Sequence, residues 1–506
     1  MPARLTRAAA LAVAVAAALA AALVAAPPYA RAEGRKPITA DDLWSVRRVG
    51  DPVLSPDGRT VAHTVSTYDA GENRMDADVW LVPAAGGTPR RLTTGKGSET
   101  SPAWSPEGRR LVFVARRDGD AASQLYLLPL DGGEAERLTE MPLGVSDPRW
   151  LPDGKRIAFV SPVVAGAETP EETKKAIEAR DKGKVKARVT EGRLYRFWDR
   201  WLTDDEHPHL FLVDVESKKV TDLLPGSRRH FGLRDGEGDY DVSPDGRTIV
   251  FAANRTDPPH RTLDYDLFEV STGGGPPRSL TADNPAADTG PRFSPDGTRI
   301  AYGLERKADG WPDYTRLAVM EVATGRTRVL TEGWDNSASG WTWTRDGRTL
   351  VFHAEVRGRT SLYRVPAAGG APDVVHHGGT TAGAAATPEG TVVFSRQSFD
   401  RPPELAVIGL DGAGLRALTA VNDALAASWD LGAVKDLTFA GAGGETVQMY
   451  LVFPPGFEPG RKYPLVHLVH GGPHSAFGDA FHLRWNAHAF AAPGYLVALV
   501  NFHGSS

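Results

Sequence analysis

Segment 467–479 reads HLVHGGPHSAFGD. An apolar run over 463–469 ends in a histidine, two glycines and a proline, and these residue types suit one chemistry. In acyl transfer the carbonyl oxygen becomes an anion, and backbone N–H groups held in place stabilise it. Glycines directly after a strand let the backbone approach with no Cβ in the way, and His-Gly-Gly in that position is the oxyanion-loop pattern of an α/β hydrolase. The same letters also spell a tight Gly-Gly-Pro turn with no chemistry, so the motif needs a context.

A hydrolase of this type also needs Gly-x-Ser-x-Gly on a strand-to-helix elbow, followed by an Asp and a His. The 506 residues contain no Gly-x-Ser-x-Gly; NSASG at 336–340 lacks the first glycine. His470, His474 and His488 precede the place where the base belongs, so none is expected to be the triad base. There is no cysteine, which excludes a thiol nucleophile, zinc–thiolate sites, disulfides and a lipid on an N-terminal cysteine. His207 and His209 flank a proline and His376-His377 lies on a loop. No third ligand stands near at metal spacing, so neither a metal nor a cofactor is expected.

One acidic group is better placed for substrate. Asp204, Asp205 and Glu206 adjoin an aromatic cluster of Tyr195, Phe197, Trp198 and Trp201, and acids there could pair with a substrate ammonium. The alternative is a solvated acidic patch. Glu171-Glu172 sits in the charged stretch ETPEETKKAIEARDKGKVKA, which reads as a solvated helix or a mobile segment.

The elements that must position these residues are announced by repetition. Seven stretches look alike: LSPDGRTVAHTV, WSPEGRRLVFVA, WLPDGKRIAFVS, VSPDGRTIVFAA, FSPDGTRIAYGL, WTRDGRTLVFHA and ATPEGTVVFSR. Their shared glycines, from Gly58 to Gly390, are spaced by 50, 46, 92, 51, 50 and 43 residues. Each stretch reads as strand, tight turn, strand, because Pro-Asp-Gly presets the turn and an alternating apolar strand follows. A second element such as DVWLVP or QLYLLPL comes next, then a third such as PRRLT or TRVLT. Four-stranded units of about 40–50 residues are propeller blades. The long interval holds only one set of second and third elements, so it predicts an insertion at about 162–208 and not an eighth blade.

After about residue 431 the repeat is lost. Two strands, a Pro/Gly-rich loop, the apolar run at 463–469, a helix containing Trp485 and Phe490, and an apolar strand at 495–501 suggest the start of a parallel α/β sheet. The expected fold is thus an all-β seven-bladed propeller over 33–430, followed by the N-terminal part of an α/β-hydrolase domain over 431–506.

Composition bounds the rest. A chain of 506 residues exceeds one core. With 41% hydrophobic and 24% charged residues it resembles ordinary globular proteins. A formal charge of −5 with no basic stripe argues against a nucleic-acid partner. Arg4 and Arg7 precede an Ala/Leu/Val run at 8–26 and the small-x-small pair Ala30 and Ala32, the pattern of a secretory signal peptide cleaved near Ala32. An uncleaved anchor is the alternative for a run of that length. Cleavage is favoured because alanine inserts weakly, giving an exported protein without a stable membrane anchor.

Taken together, the repeats, the junction PPGFEPGRKYPLVHLVHGGPH and the final GYLVALVNFHGSS resemble the prolyl oligopeptidase family of serine peptidases. YRFWDRWLTDDEHPHLFLVDV and HGGPH look like its dipeptidyl-peptidase V and acylaminoacyl-peptidase branch. The resemblance implies a propeller covering an α/β-hydrolase site that takes short peptides through an acyl-enzyme. It also implies that Gly472 donates one oxyanion N–H while Gly471 shapes the loop. The family's serine falls after the GSS at the end of this sequence, so the chain alone is expected to be inactive. His503 stands where the family's last strand commonly carries Arg. The competing expectation is a non-catalytic propeller that binds a peptide or envelope partner, discriminated by whether the coding sequence past Ser506 supplies Gly-x-Ser-x-Gly, Asp and His.

Overall fold

The computed structural model describes residues 34–184, 187, 195–197, 200–202, 205–232, 239–255, 264–308, 313–472 and 475–505. From Arg48 to Ala417 the chain is a succession of antiparallel meanders, each occupying one repeat of the sequence. Four-stranded sheets hold Glu99–Trp104 to Glu136–Arg137, Ser146–Trp150 to Val220–Asp222, Tyr240–Val242 to Arg278–Ser279, and Asp288–Phe293 to Thr327–Val329. The first sheet gains a fifth short strand, and the last two meanders join through one parallel pairing, Thr360 with Thr380.

The repeated letters have repeated jobs. In four of the turns a hydroxyl donates to the turn aspartate at 2.5–2.7 Å: Ser55 to Asp57, Ser243 to Asp245, Ser294 to Asp296 and Thr344 to Asp346. The same oxygen accepts the amide that opens the next strand, as from Thr60 and Thr248. At the other end of five units the threonine of the Leu-Thr pair accepts a third-strand amide. Thr93, Thr139, Thr281, Thr331 and Thr419 take the N–H of Val79, Leu125, Leu267, Leu317 and Leu405 at 2.8–3.0 Å. Both devices satisfy backbone groups that would otherwise be stranded where a strand ends.

Neighbouring meanders are joined by side chains. Trp104, Trp150 and Trp343 each donate their indole N–H to a carbonyl one unit back, on Val53, Ala103 and Arg292, at 3.0–3.2 Å. The first and last units meet in the same way. Val49, Val61, Val82 and Ala84 share a core with Val393, Leu405, Val407 and Leu418. The Asn422 carboxamide also accepts from Arg47 N and donates to Arg47 O.

The third meander carries the excess sequence. Its strands Arg156–Val164 and Glu206–Asp214 pair along their whole length. Between them lie a helix, Pro170–Lys182, and a two-residue ladder of Arg196–Phe197 with Arg200–Trp201. Glu171 and Glu172 occupy the first turn of that helix, where acids complement the helix dipole. Glu172 also accepts the Glu168 amide at 2.7 Å.

The C-terminal module is a mixed sheet in the order Val434–Ala440, Thr446–Val452, Leu496–Asn501, Leu465–Leu468. The last two strands are parallel, Leu465 opposite Leu496 and Leu468 opposite Leu499. The helix between them, Ala487–Ala491, is shorter than expected: Asn486 caps it, leaving Trp485 outside, and Gly494 closes it onto Ala491 O. Alternate residues of the two middle strands feed two cores. Val447, Met449, Leu451, Ala498 and Val500 face one way, and Tyr450, Val452, Val497 and Leu499 face the other with Ala487 and Ala491. Residues 36–46 serve this module and form no blade strand: Ile38 and Val46 pack with Trp429 and Phe481.

Candidate active site

Strand Leu465–Leu468 delivers the chain to the glycine motif. It lies at the edge of its sheet, and Val469 just beyond it is 69% exposed. His470 turns back inward, its ring stacked on Phe502 at 4.3 Å and edge-on to Phe477 at 5.3 Å. Its Nε2 meets Ser505 Oγ at 2.8 Å, and desolvation among these rings lowers its pKa. His470 is therefore a packed support for the loop. Gly471 and Gly472 follow on the surface, and a Cβ at either would meet nothing within 4 Å. Gly472 has φ +60°, a backbone that glycine adopts at no cost. The glycine amides thus lie on open surface at the end of a parallel strand, where a ligand oxygen has room to approach. Pro473 and His474 lie outside the described residues.

The rest of the motif ties this loop down. Phe477 N donates to Asn501 Oδ1 at 2.7 Å, and Asn501 Nδ2 returns a bond to Phe477 O at 3.0 Å. Asp479 reaches the meanders: its N–H donates to Gly358 O at 2.8 Å, its carbonyl accepts from Thr380 Oγ1, and its carboxylate accepts the Phe399 amide at 2.9 Å. Neither Asn501 nor Asp479 was singled out from the sequence. A lone Asn ending a strand and an Asp in a Gly-Asp pair carry no local signal, because their partners lie 24 and 80 residues away. His503, in the place of the family's arginine, points to solvent and reaches Glu445 at 3.3 Å.

The acidic group lies elsewhere on the chain, and Asp204 is outside the described residues. Asp205 is held by Arg228 at 2.7 Å and His207 at 3.1 Å, which keep its pKa below the usual carboxylate value against the cost of partial burial. Glu206 is held by Arg180 at 2.7 Å. The exposed rings of Tyr195 and Trp201 stand 6.1 Å apart nearby in sequence. The connection bearing these residues joins the two middle strands of its meander. The equivalent connections of the last two meanders, at Gly358 and Phe399, are the ones that touch the C-terminal module.

The histidines weighed as metal ligands have other work. His209 uses both ring nitrogens, on Asp222 at 2.7 Å and on Ser227 O at 2.8 Å. His377 pairs with Ser361 and His376 packs on Phe394. Among the described residues no group of three His, Asp or Glu could hold a metal ion. Nor is any helix among them long and apolar enough to cross a membrane; the apolar run at 8–26 lies outside them.

A family model described as TolB beta propeller domain matches residues 46–175. Dipeptidyl-peptidase 5 of Porphyromonas gingivalis is 28% identical over 475 residues, covering 92% of this chain and 68% of that protein. An uncharacterized peptidase of Bacillus subtilis is 29% identical over 486 residues, covering 93% of this chain and 71% of that one. The chain thus spans about two thirds of the length of such relatives. Among solved structures, Pyrococcus horikoshii acylaminoacyl peptidase superposes with a TM-score of 0.72 at 16% identity, over 92% of this chain and 67% of that one. The β-propeller domain of the Trilobed protease from Pyrococcus furiosus superposes with a TM-score of 0.52 at 15% identity, over 74% and 97%. The meanders form a propeller-type domain, and these similarities support a serine-type peptidase of the prolyl oligopeptidase family.

Proposed function

We propose that this chain is the seven-bladed propeller and the first part of the α/β-hydrolase domain of an exported peptidase that releases dipeptides or a single N-terminal residue from short peptides. The observation that carries the reading is the exposed Gly471-Gly472 turn at the end of a parallel strand, pinned by its own module and by the propeller. In the proposed reaction a serine is acylated, the developing oxyanion takes one N–H from Gly472, and water releases the acyl group. The propeller restricts access to short or unfolded peptides.

None of the serines in the 506 residues has the Gly-x-Ser-x-Gly setting, so the reading assigns no nucleophile among them. Made as written, the chain is expected to take up no fluorophosphonate and to hydrolyse no peptide. Expressed with whatever coding sequence follows Ser506, the protein is expected to label at one serine in a Gly-x-Ser-x-Gly setting. Stoichiometric labelling of the 506-residue chain would overturn the assignment. An extended protein that carries the motif and stays unlabelled would favour the non-catalytic propeller.

We further propose that Asp204, Asp205 and Glu206 meet the substrate ammonium. Arg228 and Arg180 orient Asp205 and Glu206 while offsetting part of their charge. Losing a charge-assisted hydrogen bond costs about 1.5–3 kcal/mol. Asp204→Asn with Glu206→Gln, in the active extended protein, is therefore expected to raise KM about tenfold or more for free-amine dipeptide substrates. N-acylated substrates should be unaffected. Equal effects on both substrate types would remove these acids from the site.

A further inference from the structure

The loop that carries Gly471 and Gly472 is shaped at its far end by two residues in different parts of the molecule, joined by a chain of hydrogen bonds. In the sixth meander, the hairpin between strands Thr349–Val356 and Arg359–Pro366 presents Gly358 and Arg359 to the C-terminal module. Gly358 O receives two donors, Tyr450 OH and Asp479 N, each at 2.8 Å. The hairpin needs glycine there: φ is +69°, and a Cβ would lie 2.9 Å from Phe477 O. Arg359 donates to Asp436 Oδ2 at 2.7 Å, and Asp436 Oδ1 accepts from Gln448 Nε2 at 2.7 Å. Gln448 Oε1 then accepts from Asn501 Nδ2 at 2.5 Å, and Asn501 holds both backbone polar atoms of Phe477.

We infer that Asn501 and Asp479 are positioning residues that fix residues 475–479, so that the chain following the candidate oxyanion glycines is held by contact with the propeller hairpin. The inference rests on the oxyanion reading for its purpose, although the clamp itself does not. Asn501 is 8% exposed and has every polar atom engaged. Such a carboxamide cannot rotate without abandoning bonds that water cannot replace, and that makes it a rigid spacer between the sheet and the loop. Asp479 adds the second anchor two residues on. Its carboxylate takes the Phe399 amide while Phe399 packs edge-on against Tyr450, 4.9 Å between ring centres. Two anchors two residues apart, on separate structural units, leave the loop little freedom while the units stay docked.

The test is hydrogen–deuterium exchange of the 506-residue chain, followed by mass spectrometry on overlapping peptides. The informative amides are those whose own acceptors survive the substitution. In Asp479→Ala, the amides of Ser475, bonded to Gly472 O, and Phe477, bonded to Asn501, keep their partners. They are nevertheless expected to exchange about tenfold faster, because the loop opens as a unit. Asp479→Asn retains an oxygen for Phe399 N and should restore near wild-type protection. Asn501→Ala should accelerate the Asp479 amide in return. In each variant, exchange in the second meander at Arg110–Ala115 should be unchanged, which separates a clamp from general loss of stability. Wild-type protection at Ser475 and Phe477 in Asp479→Ala, or no recovery in Asp479→Asn, would overturn the inference. If the clamp stands but Gly472→Ala leaves turnover of the extended enzyme unchanged, the oxyanion reading fails and the clamp does not.

Discussion

Asp288→Asn is expected to stabilise the protein at pH 7 by up to about 4 kcal/mol, and to leave it unchanged at pH 4. Asp288 opens the first strand of the fifth meander and is fully buried. Burial, with the nearby carboxylates Asp266 and Asp264, raises its pKa to about 8 against the bonds offered by Thr281 and Asn284. The folded protein at neutral pH therefore keeps this carboxyl protonated, whereas the unfolded chain has released the proton above about 3.8. Between those values the native state binds more protons, so its stability falls as pH rises from about 4 to about 8. Asparagine matches the protonated acid in shape, keeps an oxygen for Asn284 Nδ2, which now donates at 3.0 Å, and carries no such penalty. Urea midpoints of wild type and variant at pH 4.5 and 7.5 check the result. The two proteins should converge at the lower pH and separate at the higher; parallel curves would show that Asp288 is ionised in the native state.

Some of the architecture could be read directly from the letters, and the reason is local chemistry. Ser-Pro-Asp-Gly and Leu-Thr each complete their hydrogen bonds within one repeat, so type and spacing announce them. The first strands of the meanders behave otherwise. Five of them carry a bulge, marked by a residue at positive φ and a break in register: Ser101, Asp147, Gly290, Gly340 and Gly383. Three residue types do one structural job, so no repeated letter reveals it. The Lys36–Trp429 bridge, which ties the start of the described chain to the segment just before the C-terminal module, is likewise invisible, since it joins residues nearly 400 apart. At the candidate site the glycines were legible because a bare backbone has a recognisable spelling. Asn501, Asp479 and Gly358 were not, because their roles exist only once two units have docked.

The acid limit of the fold should be set by three histidines, with a sign opposite to that of Asp288. His63, His353 and His488 are all but inaccessible, at 0%, 3% and 2% exposure. Desolvation lowers the pKa of each from 6.5 to about 4. Among the described residues His63 and His488 have no hydrogen-bond partner on either ring nitrogen, and His353 has one, Thr381 Oγ1 at 2.8 Å. The unfolded chain takes up these protons near pH 6.5 and the native protein only near pH 4, so stability falls as pH drops through that window and levels off below it. At pH 5 the gap from 6.5 costs about 2 kcal/mol per histidine, or about 6 kcal/mol together, at 1.36 kcal/mol per pH unit. The three sit in different elements, the first meander, the sixth meander and the helix Ala487–Ala491, and their effects are expected to add. A loss of that size rivals the whole stability of a typical domain, about 5–15 kcal/mol. It exceeds what protonation of Asp288 returns over the same range, so the histidines should win below pH 6. Comparing unfolding free energies at pH 7.5 and 5.0 isolates each one. His353→Gln preserves a partner for Thr381, and His63→Leu and His488→Leu fill their buried sites with apolar side chains of similar volume. Each variant should lose about 2 kcal/mol less than wild type on acidification. A variant whose pH dependence matches wild type would mean that its histidine reaches solvent in the native state and titrates there.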